Sequence, residues 1–104
     1  MERFDQLLAM VIERRSADPA TSYVARLTGK GRAKMAQKLG EEAVEVVIAA
    51  MEGDKPGLVS ESADLMFHLA VLLADAGLSF DDVRAELARR EGTSGIEEKS
   101  KRAG

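Results

Sequence analysis

The sequence of residues 38–51 reads KLGEEAVEVVIAAM. In its second part, AVEVVIAAM, every residue except Glu45 is apolar, so a helix formed here is hydrophobic on all sides. We therefore predict a helix that lies inside a bundle of helices. At about 100° per residue, Glu42 and Glu45 lie roughly 60° apart on one stripe of this helix, with Lys38 one turn before them and Glu41 on the flank.

Ionised carboxylates are costly in an apolar interior, where an isolated one either takes up a proton or needs a partner. The stripe of Glu42 and Glu45 therefore requires a compensating group from elsewhere in the chain. The next apolar segment carries a similar stripe, in which Glu61 and Asp64 are three residues apart and His68 follows one turn later. His68 is explained most simply as a core histidine with satisfied hydrogen bonds, and a ligand role is the alternative.

A short turn, GDKP at residues 53–56, separates the two acidic segments. Glycine ends one helix and proline begins the next, so the two helices are predicted to be antiparallel neighbours. With about 1.5 Å of rise per residue, Glu42 and Glu45 lie roughly 10 to 15 Å from the turn, and Glu61 and Asp64 lie about 8 to 12 Å from it. Packed helices stand about 8 to 10 Å apart, so the two acidic pairs are predicted to meet between them.

Four ionised carboxylates at one level repel one another, since a single pair at 4 Å costs about 4 kcal/mol at an effective dielectric of 20. Protonation or lysine pairing can compensate this charge. An all-oxygen cluster in a chain with no cysteine and one histidine favours a hard cation, Mg²⁺ or alternatively Mn²⁺. Such an ion activates water against phosphates, so we predict metal-dependent phosphate chemistry. The alternative is a solvated acidic helix face.

Hydrophobic spacing and capping signals predict helices throughout and no strand. The predicted helices cover about Phe4 to Arg15, Tyr23 to Thr28, Arg32 to Glu52, Pro56 to Ala76, and Ser79 to Arg90. Because the two long helices are apolar nearly all round, the short helices of one chain cannot cover them. We therefore predict an all-α fold in which an antiparallel hairpin of long helices, with short flanking helices, dimerises into a four-helix-bundle core.

Length and composition bound the remaining possibilities. A chain of 104 residues forms one domain, which we place at residues 1–92 and follow with a polar C-terminal tail at 93–104. A net charge of −3 gives no basic field for nucleic acid. The charged N-terminus, the lack of a long apolar run and the absence of cysteine predict a cytoplasmic protein that does not contact a membrane.

A short basic link, GKGR at residues 29–32, leads into the long acidic helix. Backbone amides at the start of a helix bind phosphate readily. Lys30, Arg32 and Lys34 are therefore candidate phosphate contacts. The alternative is a glycine hinge flanked by solvated lysines.

The pattern Glu41-Glu42-x-x-Glu45, then 15 residues, then Glu61-x-x-Asp64 is similar to the signature of the all-α nucleoside-triphosphate pyrophosphohydrolases, which include MazG-type enzymes and dimeric dUTPases. Within this superfamily, the chain resembles the phosphoribosyl-ATP pyrophosphohydrolases. The segments that carry the closer resemblance are Ser22-Tyr23 with Arg26-Leu27, Lys38 to Glu45, Ala63-Asp64-Leu65, His68-Leu69 with Val71 to Leu73, and Ser94 to Lys99.

The resemblance implies Mg²⁺-dependent hydrolysis of phosphoribosyl-ATP between its α and β phosphates. The products are phosphoribosyl-AMP and pyrophosphate, in the second step of histidine biosynthesis. The residues that match the superfamily's metal ligands are Glu42, Glu45, Glu61 and Asp64. Among the other matching positions, Ser22, Tyr23 and His68 are candidate contacts for the nucleotide substrate.

Two further residues receive hypothetical catalytic roles. Glu41 flanks the ligand stripe and is a candidate to position or deprotonate the attacking water. Lys38, one turn before Glu42, is expected to face the departing pyrophosphate. Two rival functions remain open: a house-cleaning (d)NTP pyrophosphatase of the same fold, and a non-enzymatic helical dimerisation module. The partners predicted for the enzyme are a nucleotide substrate and a second copy of the chain, in a homodimer or a dimer-based oligomer.

Overall fold

The structure is a computed structural model that describes residues 2–91. Its helices are α1 (Glu2–Arg14), α2 (Tyr23–Gly29), α3 (Arg32–Met51), α4 (Lys55–Asp75) and α5 (Phe80–Arg90). No strand occurs in residues 2–91, and each helix ends within one residue of its predicted C-terminal bound. The predicted all-α fold is therefore confirmed. The predicted tail at 93–104, with the family-like segment Ser94 to Lys99, lies outside the described residues.

The hairpin of α3 and α4 is the most extensive helix pair of the fold. Gly53 ends α3 with a positive φ of 70°, a conformation that glycine adopts without strain. The Asp54 side chain then caps α4 by accepting a hydrogen bond of 3.0 Å from the Gly57 amide, and Pro56 lies in the first turn. This turn sets the relative register of the two helices.

The core lies at the end of the hairpin away from this turn. Its most deeply buried large side chains are Val11 of α1, Met35 of α3 and Val71 of α4. At the same end, Asp75 accepts hydrogen bonds from Arg15 at 3.2 Å and Arg32 at 2.7 Å. One carboxylate thus joins α4 to the end of α1 and the start of α3.

The half of α3 next to the turn is not enclosed within one chain. Four apolar side chains at positions i, i+3, i+4 and i+7 are about half exposed or more, and we call them the α3 stripe: Val44 (58%), Val47 (59%), Ile48 (49%) and Met51 (83%). On α4, Val59 is 72% exposed. The elements of one chain therefore leave this face of α3 uncovered, as the sequence predicted for helices that are apolar nearly all round.

Helix α4 is the one helix within residues 2–91 that is long and apolar enough to cross a membrane. This finding rests on length and composition alone, and core helices of soluble proteins share both properties. The helix also carries Glu61, Asp64 and His68, and ionisable side chains are costly in lipid.

The core predicts the effect of truncating Met35, which is 1% exposed. Met35→Ala should lower the free energy of unfolding by about 2–5 kcal/mol, because it removes buried apolar atoms and leaves a cavity. Chemical denaturation followed by far-UV circular dichroism measures this loss. Ile12→Ala is the control, since Ile12 is 53% exposed and its truncation should cost less than about 1 kcal/mol. Equal losses in the two variants would contradict this placement of the core.

Candidate metal and phosphate site

Three carboxylates from two helices converge beside the turn of the hairpin. Glu42 and Glu45 of α3 and Glu61 of α4 each contribute an oxygen, and these oxygens lie within 4.8 Å of one another. We call these three residues the carboxylate cluster. The arrangement follows from the helical period, which puts Glu42 and Glu45 on one stripe, and from the short turn, which brings Glu61 to their level.

The cluster has unused hydrogen-bonding capacity. The Oε2 atoms of Glu42 and Glu61 are buried and have no hydrogen-bond partner in the structure. Buried polar atoms are nearly always paired, so these two carboxylate oxygens remain available to a ligand. A hard divalent cation prefers oxygen donors of this kind. The residues present therefore fit such an ion.

Crowding of the carboxylates raises the affinity of Glu42 and of Glu61 for protons. Burial is the largest cause of the raised pKa of Glu42, followed by its hydrogen bond and charge interaction with Glu45. The pKa of Glu61 is raised to about 7, and the largest cause is a hydrogen bond with Glu45, followed by burial. Glu42 and Glu61 therefore resist full ionisation at neutral pH unless a cation is present.

Asp64, the fourth predicted ligand, is not among the three residues whose oxygens converge. It lies one turn after Glu61 on α4, and its charge contributes to the raised pKa of both Glu42 and Glu61. Asp64 thus lies beside the carboxylate cluster and acts on it electrostatically.

Glu41 and Lys38 form a separate exposed group on α3. Glu41 accepts a hydrogen bond of 2.8 Å from Gln37 and lies 3.4 Å from the Lys38 ammonium. The Gln37 hydrogen bond and then Lys38 lower the pKa of Glu41. A lowered pKa makes Glu41 a weak base, so this geometry favours the orienting role over the deprotonating role.

The basic residues near the start of α3 are distant from the carboxylate cluster. The Arg32 guanidinium is bound by Asp75 through both its carboxylate and its backbone carbonyl, at 2.7 and 3.0 Å. Arg32 precedes Glu42 by ten residues, or about 15 Å along the helix. Lys30 is exposed and its backbone amide caps α2. Lys34 alone comes close enough to act on Glu41, whose pKa its charge lowers.

Ser22 has a structural role in this fold. It is 7% exposed, and its hydroxyl accepts a hydrogen bond of 3.1 Å from the Ala25 amide as the N-cap of α2. The same hydroxyl donates to the Arg14 carbonyl at 3.4 Å. With both bonds made inside the protein, Ser22 is placed to shape α2, and the structure does not bring it to the carboxylate cluster.

Tyr23 and His68 form a linked pair between α2 and α4. His68 is 7% exposed and lies 2.8 Å from the Asp64 carbonyl through Nδ1. A carbonyl only accepts, so Nδ1 carries the proton and Nε2 accepts from the Tyr23 hydroxyl at 2.9 Å. Both ring nitrogens are thereby satisfied, as the core-histidine interpretation requires. Tyr23 itself remains 42% exposed.

An opening beside the cluster was not anticipated from the sequence. It has a volume of about 170 Å³, and its acidic lining residues are Glu45, Glu52, Asp54 and Glu61. Gly57 also lines it, and a side chain there would clash with the capping carboxylate of Asp54.

Comparison with known proteins identifies the family. The phosphoribosyl-ATP pyrophosphohydrolase family matches residues 4–91. The chain belongs to this family. Two relatives named phosphoribosyl-ATP pyrophosphatase are each matched over 98 residues, which are 94% of this chain and 92% of the relative: those of Rhizorhabdus wittichii (65% identical) and Novosphingobium aromaticivorans (59% identical). A third, from Erythrobacter litoralis, is 58% identical over 102 residues, which are 98% of each chain.

The region that the family matches contains the carboxylate cluster. It also contains the segments between Ser22 and Leu73 that carry the resemblance. The family match therefore includes both helices of the hairpin and the turn between them.

The raised pKa of Glu61 predicts how metal-free protein responds to pH. Its folded value of about 7 exceeds the ordinary 4.5, so the stability gained from its protonation is fully present below pH 4.5 and is lost as pH rises through about 7. The melting temperature in EDTA should therefore fall between pH 5 and pH 8. Differential scanning calorimetry measures this change.

Two controls accompany this measurement. Glu61→Gln should flatten the pH dependence, because the titrating group is gone. Mg²⁺ should raise the melting temperature of the unaltered protein more at pH 8 than at pH 5, since protons compete with the cation. A melting temperature in EDTA that stays constant or rises from pH 5 to pH 8 would contradict the crowding of these carboxylates.

Proposed function

We propose that this chain hydrolyses phosphoribosyl-ATP to phosphoribosyl-AMP and pyrophosphate, the second step of histidine biosynthesis. Membership of the phosphoribosyl-ATP pyrophosphohydrolase family supports the substrate. The observation that carries the proposal is the convergence of oxygens from Glu42, Glu45 and Glu61 within 4.8 Å. An acidic site of this kind suits metal-assisted phosphate chemistry, because a divalent ion neutralises both the carboxylates and the phosphates.

In this proposal Glu42, Glu45, Glu61 and Asp64 hold Mg²⁺, with Mn²⁺ as a substitute. The ion supplies charge withdrawal from the phosphate oxygens when it is bound. A water oxygen bonds to one phosphorus of the α–β bridge and the bond from that phosphorus to the bridging oxygen breaks, which yields phosphoribosyl-AMP and pyrophosphate. The proton that the water loses passes to bulk solvent. The four carboxylates orient the polyphosphate by fixing the position of its counter-ion.

Glu41 and Lys38 complete the proposed machinery. Glu41 stays ionised because Gln37 and Lys38 lower its pKa, and it therefore accepts a hydrogen bond from the attacking water and orients it. Lys38 lies 3.4 Å from Glu41 and one turn before Glu42, so its ammonium is available to the departing pyrophosphate. Lys34 is a weaker phosphate contact in this scheme. The Tyr23 hydroxyl is hydrogen-bonded to His68, which is hydrogen-bonded to the Asp64 carbonyl, so the exposed Tyr23 ring is linked to the helix segment that carries Asp64.

The proposed assembly is a homodimer, or a larger oligomer built from that dimer. The α3 stripe leaves four large apolar side chains between 49% and 83% exposed, and they lie together on one helix face. Apolar patches of this kind mark interaction sites. A second copy that covers the stripe would complete a core of four long helices. We further propose that the enzyme is cytoplasmic and acts without nucleic acid or membrane.

The first prediction of this proposal concerns turnover. The unaltered protein should release pyrophosphate from phosphoribosyl-ATP in the presence of Mg²⁺ and lose this activity in EDTA. Glu45→Gln should lower kcat by at least about 100-fold, because loss of one charged ligand removes several kcal/mol of transition-state stabilisation. A coupled pyrophosphate assay measures both effects.

Glu13→Gln is the matched control, since Glu13 is an exposed acid on α1 away from the cluster. It should keep the activity of the unaltered protein. A panel of standard and non-standard dNTPs, assayed in parallel, tests the house-cleaning alternative. Full activity of the Glu45 variant at low Mg²⁺ would refute its assignment as a ligand, and preference for a dNTP would refute the proposed substrate.

The second prediction concerns assembly. Light scattering at micromolar concentration should give twice the chain mass of 11.2 kDa. Val47→Lys should convert the protein to a helical monomer, because it places a charge at the centre of the α3 stripe. Leu87→Lys is the control, since Leu87 is equally exposed (59%) but lies on α5. A folded monomer from the unaltered sequence would overturn the proposed dimer.

A further inference from the structure

A second opening lies between the first half of α1 and the middle of α4, and we call it the α1–α4 cleft. Its volume of about 700 Å³ falls in the range of roughly 300–1,000 Å³ that is typical of small-molecule sites. Its walls are mostly apolar, and the apolar residues are Phe4, Leu7 and Met10 from α1 and Ala63, Met66 and Phe67 from α4. The functions assigned above do not use this cleft.

The two aromatic walls of the cleft are held in place from behind. The Phe4 ring packs against Phe80 of α5 with a centroid distance of 5.4 Å. The Phe67 ring lies 5.4 Å from His68 and 6.2 Å from Tyr23. His68 is fixed in turn by hydrogen bonds at both ring nitrogens. The cleft is therefore preformed, as small-molecule sites usually are.

The cleft adjoins the carboxylate cluster through Asp64. This residue lines the cleft, and its charge also acts on Glu42 and Glu61. A ligand held by its phosphates at the cluster would therefore extend past Asp64 toward the apolar walls. The cleft shares no lining residue with the α3 stripe.

We propose that the α1–α4 cleft binds the purine base of the nucleotide substrate against the rings of Phe4 and Phe67. Bases stack on aromatic side chains through their π faces. The Gln6 amide and the Ser62 hydroxyl also line the cleft and supply both donors and acceptors for the polar edge of a base. The placement of the phosphates rests on the proposed function, whereas the base site rests on the cleft itself.

Methionine methyl groups provide a direct test. Met10 and Met66 line the cleft, whereas Met35 is buried in the core and Met51 lies on the α3 stripe. The full chain, labelled at its methionine methyl carbons, is titrated with AMP in the presence of Mg²⁺. AMP carries the base and one phosphate but has no anhydride to hydrolyse. Ring currents from the base should shift the Met10 and Met66 signals and leave those of Met35 and Met51 unchanged.

Ribose 5-phosphate is the matched ligand control, because it lacks the base and should leave the Met10 and Met66 signals in place. Shifts of these two signals with AMP support the base site even if phosphoribosyl-ATP is not hydrolysed, so the two proposals fail separately. Shifts confined to Met51, equal shifts with ribose 5-phosphate, or no shift at millimolar AMP would overturn the base site.

A cleft-filling variant supplies a second measurement. Ala63 is exposed and lines the cleft, so Ala63→Phe fills it without disturbing the core. The variant should raise the Kd for AMP by at least about tenfold, as expected for the loss of one stacked base, and leave pyrophosphate binding with Mg²⁺ unchanged. Ala85→Phe on α5 is the control for adding an exposed ring. Unchanged AMP affinity in a folded Ala63 variant would overturn the proposal.

Discussion

Repulsion among carboxylates at one level of the hairpin is the constraint on which the functional end of this protein depends. Glu42, Glu45 and Glu61 are brought together by the register of α3 against α4, and that register is set by the Gly53 turn and the Asp54 cap. Shifting α3 by one residue would rotate Glu45 by about 100° and separate it from Glu61. The fold thus holds like charges together, and a bound cation would lower the energy cost of this arrangement.

Such an arrangement needs stabilisation from elsewhere, and the structure places it at the other end of the hairpin. Met35 and Val71 are almost fully buried there, and Asp75 joins three helices through Arg15 and Arg32. The hydrogen bond from Arg32 is the largest effect on the pKa of Asp75; burial raises this pKa and Arg15 lowers it further, with a net lowering. Both ion pairs of Asp75 therefore persist at neutral pH. One end of the helix pair carries the stability, and the opposite end carries the repulsive charges.

Local sequence predicted this fold well because its helices have strong local signals. The glycine and proline around residues 53–56 predicted the hairpin, and Ser79, the predicted start of the last helix, forms a capping box with Asp82. Helical spacing was also enough to predict that Glu42 and Glu45 lie close to Glu61. The partner of Arg32 could not be foreseen, because Asp75 is 43 residues away and only the packed hairpin brings its carboxylate within 2.7 Å. The apolar α1–α4 cleft was missed for the same reason, since its two walls are far apart in sequence.

The proposed dimer and the proposed cation site are physically coupled through the α3 stripe. Ile48 belongs to this stripe and also lines the acidic opening beside Glu45 and Glu61. A partner that covers Ile48 would exclude water from one side of the cluster and lower the local dielectric constant. Repulsion between the carboxylates would then increase, and so would their attraction for a divalent ion. Because such coupling is reciprocal, an ion that relieves the repulsion would also favour association. The exposed apolar stripe and the crowded carboxylates would therefore be coupled through the ion, because ion binding and association would each favour the other.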